Sequence, residues 1–501
     1  MESSTNLLEE MQGKGIQLWL DQGALRYKAP RGSVSPADLE KIRTSRNHII
    51  QSLQRSAREA RAPLAFSQLA HWHLYRLSER PAIRQVAEAK RLMGPLDLES
   101  LKRALKQLVI RHDALRTRIV VSNDTPFQEV LESCPVELQV VDLRITREDQ
   151  QEAEILRQID KLILHPIVVT TDPLWAIRLL QIREDVHVVI VAMEHLIADA
   201  ASLGVFFRDL FLAYRQTLTG RSVSLPALQI QFVDHALSQQ RGHASWLEKH
   251  GAYWTRRLAG FGRLKFPEDP VASMQRPSGW GTIPIRIESG LKSRLVQTCR
   301  QLQTTLALGV LTAYVAAVSR WCGSPEVVVQ FQTDGRMNPQ VLNAIGYFAC
   351  VLHLRIDLGM QTDFCELIHR VRDEYFQAYE HADESYLEAQ LPRPQVARNC
   401  AFNWVPRLSD DKGLSEGFPE GTIECSSVPF AHPMLNTLDR DNEPVMLLYD
   451  VEDGITGYLY FPRDRFSVKY MTGFAQSFLL FAERLSESPE SALNSFGSME
   501  S

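Results

Sequence analysis

One stretch of this chain constrains its fold more than any other: an apolar run that ends in a histidine and an aspartate and continues as a helical pattern. Residues 188–193 are apolar without a break and rich in β-branched side chains, which predicts a buried strand. Residues 203–218 carry apolar side chains at helical spacing. His195 and Asp199 are therefore predicted to follow the carboxyl end of a central strand, where α/β folds commonly place their chemistry.

The spacing of these two residues is by itself a weak functional signal. The chain has 14 histidines, so roughly 0.7 His-x-x-x-Asp matches are expected by chance. His369 and Asp373 predict an ion pair on a helix surface, and His353 and Asp357 lie in a strand-like stretch where both side chains share a face. Only His195 has the strand–turn–helix setting, and the alternative for it is a satisfied structural histidine.

Composition excludes several classes of protein. The formal net charge of −5 leaves no basic footprint for a nucleic acid, and no apolar run reaches the length of a membrane span. The N-terminus lacks the basic start and apolar segment of a signal peptide. The seven cysteines form no Cys-x-x-Cys, so neither a zinc site nor a disulfide framework is indicated. We expect a cytoplasmic protein that binds neither nucleic acid nor membrane.

A metal site is also disfavoured around His195. Glu194 and His195 are adjacent and so are poorly placed to chelate together with Asp199, and no second histidine stands nearby in the sequence. His71 and His73 flank Trp72 in a helical pattern and are predicted to be surface or core histidines rather than ligands. No bound metal or cofactor is expected.

Five segments of the chain carry a family resemblance. In order, they are residues 63–74 (PLAFSQLAHWHL), 111–118 (RHDALRTR), 194–200 (EHLIADA), 231–236 (QFVDHA), and 334–336 (DGR) followed by 345–348 (IGYF) and 354–355 (LR). They resemble, in the same order, the motifs of the condensation domains of nonribosomal peptide synthetases. The similarity covers about residues 63 to 487.

The resemblance implies a fold and a reaction. The fold is α/β, a V-shaped pseudo-dimer of two chloramphenicol-acetyltransferase-like lobes with an active-site tunnel between them. The reaction passes an acyl, peptidyl or polyketide chain from the phosphopantetheine thioester of a carrier protein to an amine or hydroxyl. The acceptor is either bound to a second carrier or a small molecule, in which case the enzyme releases the chain. The chain is expected to act as a free-standing enzyme.

The same resemblance assigns roles to individual residues. His195 is the catalytic histidine. Asp199 is structural and forms a salt bridge to an arginine, for which Arg336 and Arg111 are the two candidates. Asn403 corresponds to a position that lines the tunnel.

Two positions in the central motif depart from the family pattern, His-His-x-x-x-Asp-Gly. Glu194 replaces the first histidine; neighbouring side chains of an extended backbone point opposite ways, so it need not face the substrate, but an inward carboxylate would favour protonated His195 and weaken it as a base. Ala200 replaces a glycine that adopts positive φ freely, so the turn either avoids that region or is strained. These departures leave open a catalytically silent scaffold that docks carrier proteins. A coenzyme-A-dependent acyltransferase of the same superfamily is a third possibility.

The first 54 residues form a separate unit in the sequence. Apolar residues alternate on both sides of Asp21-Gln22-Gly23, which predicts a hairpin, and Ser35-Pro36 predicts the start of a helix. This unit resembles the β-hairpin docking domains that capture the C-terminal tail of the preceding synthetase subunit. Its basic residues are then predicted to pair with an acidic tail added as a strand, rather than to form an ordinary solvated surface: Arg26, Lys28, Arg31, Lys41 and Arg43.

The predicted organisation has five parts along the chain. They are a small α+β docking domain (1–54), a linker (55–62), the N-terminal lobe (63–225), the C-terminal lobe (226–490) and a tail (491–501). Within the C-terminal lobe, residues 409–421 are rich in Gly, Asp and Ser, which predicts a mobile loop.

Overall fold

A computed structural model describes most of the chain. The described residues are 10–11, 14–21, 24–30, 34–44, 46, 49–50, 61–77, 85–220, 223–260, 264, 266–267, 269–275, 279–359, 363–382, 400–406, 411–416, 418, 423–430 and 443–491. Arg31, most of the predicted linker and all but the first residue of the predicted tail lie outside them.

Helices and strands alternate through these residues. The helices, numbered α1 to α12 in chain order, are Pro36–Thr44, Phe66–Leu77, Leu98–Arg111, Glu148–Ile163, Ala200–Leu218, Phe232–Arg257, Pro270–Gln275, Ser289–Gln301, Leu306–Cys322, Phe364–Glu380, Asp411–Glu416 and Val468–Glu487. The strands, β1 to β16, are Gln17–Asp21, Ala24–Lys28, Ala62–Pro63, Gln85–Met93, Thr117–Ser122, Thr125–Val130, Leu138–Asp142, Trp175–Arg183, Val186–Glu194, Trp280–Glu288, Glu326–Thr333, Cys350–Asp357, Ala401–Val405, Glu424–Ser427, Val445–Val451 and Gly454–Pro462. Two short 3₁₀ turns are at Asp113–Arg116 and Pro339–Val341.

The first lobe is built on a five-stranded sheet with β9 in the middle. The strand order is β14-β4-β9-β8-β7, and β9 runs antiparallel to both of its neighbours. Every residue of β9 is buried, because α3 and α5 pack on one face of the sheet and α4 on the other. The covered faces explain the continuous apolar run in the sequence.

The second lobe is built on a six-stranded sheet of order β10-β16-β15-β13-β11-β12. Helices α8, α9, α10 and α12 bury their apolar faces against one side of it and form a large core cluster. Helix α9 is the most enclosed of them. The side chain of Thr305 caps its first turn, and Gly323 ends it in the left-handed conformation with φ of 59°.

One strand of the second half belongs to the sheet of the first lobe. Strand β14 pairs antiparallel with β4, and the backbone N–H of Val428 donates to the Ala89 carbonyl at 2.9 Å. The predicted boundary at 225/226 therefore does not separate the two sheets, and this part of the domain prediction is corrected. The predicted loop at 409–421 is also corrected in part, because helix α11 occupies 411–416, and its Ser415 hydroxyl accepts from the N–H of Cys425 in β14 at 2.9 Å.

The N-terminal unit has its own small core. Met11, Ile16, Ile42 and Ile49 are buried together beneath the β1–β2 hairpin and α1. Ser35 caps α1 as predicted, since its hydroxyl accepts from the Asp38 N–H at 3.1 Å and its own N–H donates to the Asp38 carboxylate at 3.0 Å.

The predicted α/β fold, with two chloramphenicol-acetyltransferase-like lobes and a small docking unit, is confirmed. The linker prediction needs adjustment at its end, because Ala62 already belongs to β3, which pairs with β6. Among the described residues no single helix has the length and apolar composition needed to cross a membrane. Ser289–Gln301 and Leu306–Cys322 meet that criterion only together, and they are bent by 101° at their junction.

Candidate active site

His195 occupies the turn between the middle strand of the first lobe and helix α5. Its ring nitrogen Nδ1 lies 3.1 Å from the carbonyl oxygen of Ala198. A carbonyl oxygen only accepts, so this contact places a proton on Nδ1, and in the neutral form of the ring the lone pair is then on Nε2. The side chain is 9% exposed, so most of it is shielded from solvent, and the Nδ1 edge of its ring is held by the hydrogen bond to Ala198.

Asp199 caps helix α5. Its oxygen Oδ1 accepts from the Ser202 N–H and from the Ser202 hydroxyl, both at 2.8 Å, and the Asp199 N–H donates back to Ser202 Oγ at 3.3 Å. Ala200 is the first residue of the helix and is not among the described residues with positive φ. The turn therefore avoids the left-handed region, and alanine is accommodated there without backbone strain.

Asp199 also connects the two lobes. Arg336 Nη2 lies 3.0 Å from Asp199 Oδ1, and the N–H groups of Phe348 and Ala349 donate to Oδ2 at 3.0 and 3.2 Å. The guanidinium carbon of Arg336 stands 4.4 Å above the centroid of the Phe348 ring. Both charged side chains are buried, and both oxygens of the carboxylate are hydrogen-bonded. On the arginine, Nη2 carries the ion pair, whereas Nε and Nη1 are buried without a hydrogen-bond partner among the described residues, and the guanidinium otherwise meets the Phe348 ring through the cation–π contact.

Gly335 lets this segment approach closely. Its φ is 61°, and a Cβ at this position would lie 1.8 Å from the carbonyl oxygen of Phe348. Glycine is thus required here both for the backbone conformation and for space.

Arg111 is not the partner of Asp199, and that alternative is corrected. Its Nε lies 2.8 Å from Asp209 Oδ2, which His112 Nε2 also approaches at 2.9 Å, and its Nη1 donates to the carbonyl of Pro226. Burial lowers the pKa of Arg111, against the raising effect of Asp209. This buried cluster ties α3 to α5 and to the segment that leads into the second half of the chain.

Glu194 is the last residue of β9 and is 3% exposed. Its N–H donates to the Leu174 carbonyl at 2.7 Å, and its own carbonyl accepts from the Ile197 N–H at 2.9 Å. The backbone on both sides of Glu194 is therefore held by hydrogen bonds, which fixes where the chain turns towards His195.

Two residues that the sequence interpretation did not place in the site lie beside His195. Its ring centroid is 5.1 Å from that of His71 and 5.2 Å from that of Tyr347. His71 was predicted to be a surface or core histidine, and that prediction missed its neighbourhood, whereas His73 on the same helix is exposed. A signal was present, because His71 and Tyr347 each lie inside one of the segments that resemble family motifs.

Asn403 lies on strand β13. In register it stands between Gln332 of β11 and Leu447 of β15. Phe402 next to it is fully buried in the core beneath the helices, so Asn403 is on the opposite face of the sheet. That face carries a second apolar cluster rich in aromatic residues.

The basic residues predicted for docking differ in their surroundings. Arg26 and Lys28 are exposed and lie on one face of β2, since they are two residues apart in a strand. Arg43 is exposed on α1, and Lys41 forms an ion pair with Glu10 at 2.7 Å. Arg26 and Lys28 therefore lie on the same side of the hairpin.

The fold and the histidine turn define a two-lobed acyltransferase-like α/β protein. A family model described as "Condensation domain" matches residues 58–500, and a second, described as "TubC N-terminal docking domain", matches residues 5–55. The chain belongs to the condensation-domain family of nonribosomal peptide synthesis and carries an N-terminal docking domain, so the predicted resemblance is confirmed.

Curated relatives agree with this assignment. Over 337 residues the chain is 29% identical to surfactin synthase subunit 1 of Bacillus subtilis, an alignment that covers 66% of this chain and 9% of that protein. Over 437 residues it is 26% identical to the beauvericin nonribosomal cyclodepsipeptide synthetase of Beauveria bassiana, covering 86% of this chain and 14% of that protein. The chain thus spans a small part of the length of these relatives.

Solved structures share the fold at low identity. The X-domain from teicoplanin biosynthesis has a TM-score of 0.72 at 24% identity, with 88% of this chain and 99% of that chain covered. The SgcC5 protein of Streptomyces globisporus has a TM-score of 0.72 at 22% identity, covering 86% and 100%. The EpoB cyclization-docking bidomain of Sorangium cellulosum has a TM-score of 0.67 at 21% identity, covering 97% and 98%. The last comparison extends over the docking domain as well.

Proposed function

We propose that this protein is a condensing enzyme that transfers an acyl, peptidyl or polyketide chain from the phosphopantetheine thioester of a carrier protein to an amine or a hydroxyl. The observation that supports this most is the arrangement of His195. Its Nδ1 faces the Ala198 carbonyl, which leaves Nε2 as the basic nitrogen. The turn that carries it is tied to both lobes through Asp199.

In this proposal His195 handles the proton of the acceptor. As the acceptor nitrogen or oxygen forms its bond to the thioester carbon, Nε2 takes the proton that it loses. The tetrahedral intermediate then breaks its carbon–sulfur bond, and the departing thiolate takes that proton from the imidazolium. A hydroxyl acceptor depends on this base more than an amine does, because an amine lone pair attacks before its proton leaves.

The other site residues have supporting roles in this proposal. Asp199 and Arg336 hold the turn, and Ala200 begins helix α5. Arg111 of α3 holds α5 in place through its ion pair with Asp209. Asn403 as a tunnel-lining residue rests on the family resemblance and on its position on the sheet face away from the core helices.

The N-terminal unit would bring the donor to the site. We propose that residues 1–54 capture the acidic C-terminal tail of an upstream carrier subunit, with Arg26 and Lys28 facing the tail, and that residues 63–225 and 226–490 form the two lobes, apart from β14. The acceptor arrives on a second carrier or as a small molecule, in which case the enzyme releases the chain. A cytoplasmic location belongs to the same proposal and agrees with the seven cysteines, all of which are free thiols.

The test is intact-protein mass spectrometry of an acyl-loaded carrier incubated with the protein and a panel of amines and alcohols. We expect the carrier to lose its acyl mass with the wild-type protein and to keep it with His195→Ala. The His73→Ala variant, changed at an exposed histidine of α2, serves as the matched control and should behave as wild type. The acceptor that gains the acyl mass distinguishes amide from ester formation.

A catalytically silent scaffold is the second candidate, and Glu194 in place of the first histidine of the family motif favours it. The same experiment separates the two. A carrier that binds the protein but keeps its acyl group with every acceptor supports the scaffold. Consumption of acyl-coenzyme A without a carrier would instead support a coenzyme-A-dependent acyltransferase, against which the docking domain argues.

A further inference from the structure

Three rings from three segments of the chain meet at the candidate active site. The centroids of His71, His195 and Tyr347 are separated by 5.1, 5.2 and 4.8 Å, so each ring packs against the other two. The two rings that pack against His195 are themselves joined, because His71 Nε2 lies 2.8 Å from the hydroxyl oxygen of Tyr347. The rings of His71 and Tyr347 meet edge to face at 88°.

The positions of these two rings are fixed by hydrogen bonds of their own segments. One turn before His71, the Gln68 side chain donates to the Leu196 carbonyl at 2.6 Å, which fastens α2 to the histidine turn. The Ser67 hydroxyl donates to the carbonyl of Tyr347 at 2.9 Å. Helix α2, the histidine turn and the segment around Tyr347 therefore form one hydrogen-bonded assembly.

We propose that His71 and Tyr347 are positioning residues for His195, and that the hydrogen bond between them holds both rings against its imidazole. This inference rests on the proposed function. A hydrogen bond at Nδ1 does not by itself fix the tilt of an imidazole ring. Two packed rings that are locked to each other confine it, and orientation of a base relative to its substrate is a large part of catalytic rate.

The hydrogen-bonded pair of His71 and Tyr347 predicts a specific pattern in the kinetics of its variants. The hydrogen bond exists only when both partners are present, so removing either side chain's polar group has the same effect as removing both. Because the pair acts on the imidazole and not on carrier capture, its loss lowers kcat and leaves KM for the carrier unchanged. The loss is greater with a hydroxyl acceptor, which depends more on the base.

The experiment compares His71→Phe, Tyr347→Phe and the double variant, each of which keeps an aromatic ring and loses the hydrogen bond. We expect kcat to fall about tenfold in each single variant, and no further in the double variant. His73→Phe, two residues along the same helix and exposed, should leave both constants unchanged. Melting temperatures of all variants establish that they fold.

Other results overturn the inference. Unchanged kcat in both single variants, losses that multiply in the double variant, or a rise in KM that accounts for the whole loss would each do so. If His71→Phe does not fold, Tyr347→Phe, which loses the same hydrogen bond, is compared with His73→Phe, and equal kcat in the two overturns the inference.

A failure of the proposed function is distinguishable from a failure of this inference. If the wild-type protein transfers nothing, ¹⁵N-histidine NMR spectra, with the signal assigned by its loss in His195→Ala, report the ring of His195 directly. A shift of that signal in Tyr347→Phe supports the positioning role without turnover, and identical spectra overturn it.

Discussion

Both carboxylate oxygens of Asp199 are occupied, and their partners come from both lobes. The side chain caps α5, pairs with Arg336 and accepts from the N–H groups of Phe348 and Ala349. Loss of this carboxylate would leave a buried guanidinium without its counter-ion. The residue therefore carries more of the stability of the fold than an ordinary helix cap does.

We expect Asp199→Ala to lower the free energy of unfolding by about 3–5 kcal/mol, because it breaks a buried ion pair as well as a cap. The matched control is Asp97→Ala. Asp97 caps α3 in the same way, accepting from the Ser100 N–H at 3.0 Å, but its side chain is half exposed, so its loss should cost about 1 kcal/mol. Urea denaturation followed by circular dichroism measures both, and equal losses would contradict the bridging role of Asp199.

His353 predicts how stability depends on pH. Its side chain is fully buried on β12, and neither ring nitrogen has a hydrogen-bond partner among the described residues. Burial lowers its pKa to about 4. Between pH 6.5 and pH 4 the unfolded chain binds a proton at this position that the folded protein does not, so stability falls as the pH falls.

The contribution of His353 across that interval is about 3 kcal/mol. We expect His353→Leu, which cannot titrate, to lose less stability than wild type between pH 7 and pH 4 by roughly that amount. Denaturation midpoints at a series of pH values measure the difference. The interpretation fails if the curves for wild type and His353→Leu remain parallel.

At the scale of whole elements, strand β14 links the second half of the chain to the sheet of the first lobe. It pairs with β4, and the paired residues Lys90 and Ser427 are 337 positions apart in the sequence. The fully buried Lys90 donates to the hydroxyl of Ser427 at 2.8 Å. Lys90 also pairs with Glu88 at 2.6 Å, which balances its charge inside the protein. The contact holds the edge of the first sheet to a segment of the second half.

Val428→Pro tests the pairing of β14 with β4. The substitution removes the N–H that donates to Ala89, whereas Val428→Ala keeps it and removes only the methyl groups. We expect the proline variant to be about 1–3 kcal/mol less stable than the alanine variant, because a buried carbonyl loses its partner. Hydrogen exchange should rise in residues 424–427 and not in β9. Equal exchange in the two variants would show that the β14–β4 pairing does not depend on this hydrogen bond.

The sequence predicts elements well where they have one regular pattern. β9, α3, α10 and β15 all follow from their apolar runs or helical spacing. Strand β4 does not, because Glu88, Lys90 and Arg91 make it polar, and only the pairing with β14 shows how Lys90 is buried. Helix α6 is obscured by Gly242 and Gly251, which lower its helical signal.

The candidate site divides in the same way. His195 and Asp199 stand within one turn, so the local pattern identifies them, and Arg336 was named as a candidate partner through the family motifs. His71 and Tyr347 are 276 residues apart, and no local pattern joins two residues that meet only in the folded chain. The choice of Arg336 over Arg111 likewise required the fold.

At the scale of the whole molecule, the docking unit and the two lobes are proposed to act in sequence, with capture preceding transfer. In this proposal, capture depends on charge at the exposed face of β2. It should therefore weaken as salt rises, because exposed charges are screened beyond a Debye length of about 10 Å at 0.1 M.

We expect the double change Arg26→Glu and Lys28→Glu to weaken binding of an acidic C-terminal carrier peptide to the full chain by about tenfold or more. The control carries the same change of net charge on the exposed face of α8, as Arg294→Glu with Arg300→Glu. Isothermal titration calorimetry at two salt concentrations measures both. Equal weakening in the two proteins would mean that overall charge, and not the hairpin face, governs capture.

The pairing of β14 with β4 also limits where two such enzymes can be recombined. A chimera that takes its first lobe from one enzyme and its second from another would place a foreign β4 against the native β14. The lysine buried at position 90 would then meet whatever the other parent carries at position 427. A segment exchanged between two such enzymes should therefore carry residues 85–93 and 424–428 from the same parent. Such a segment spans nearly the whole condensation domain rather than one lobe.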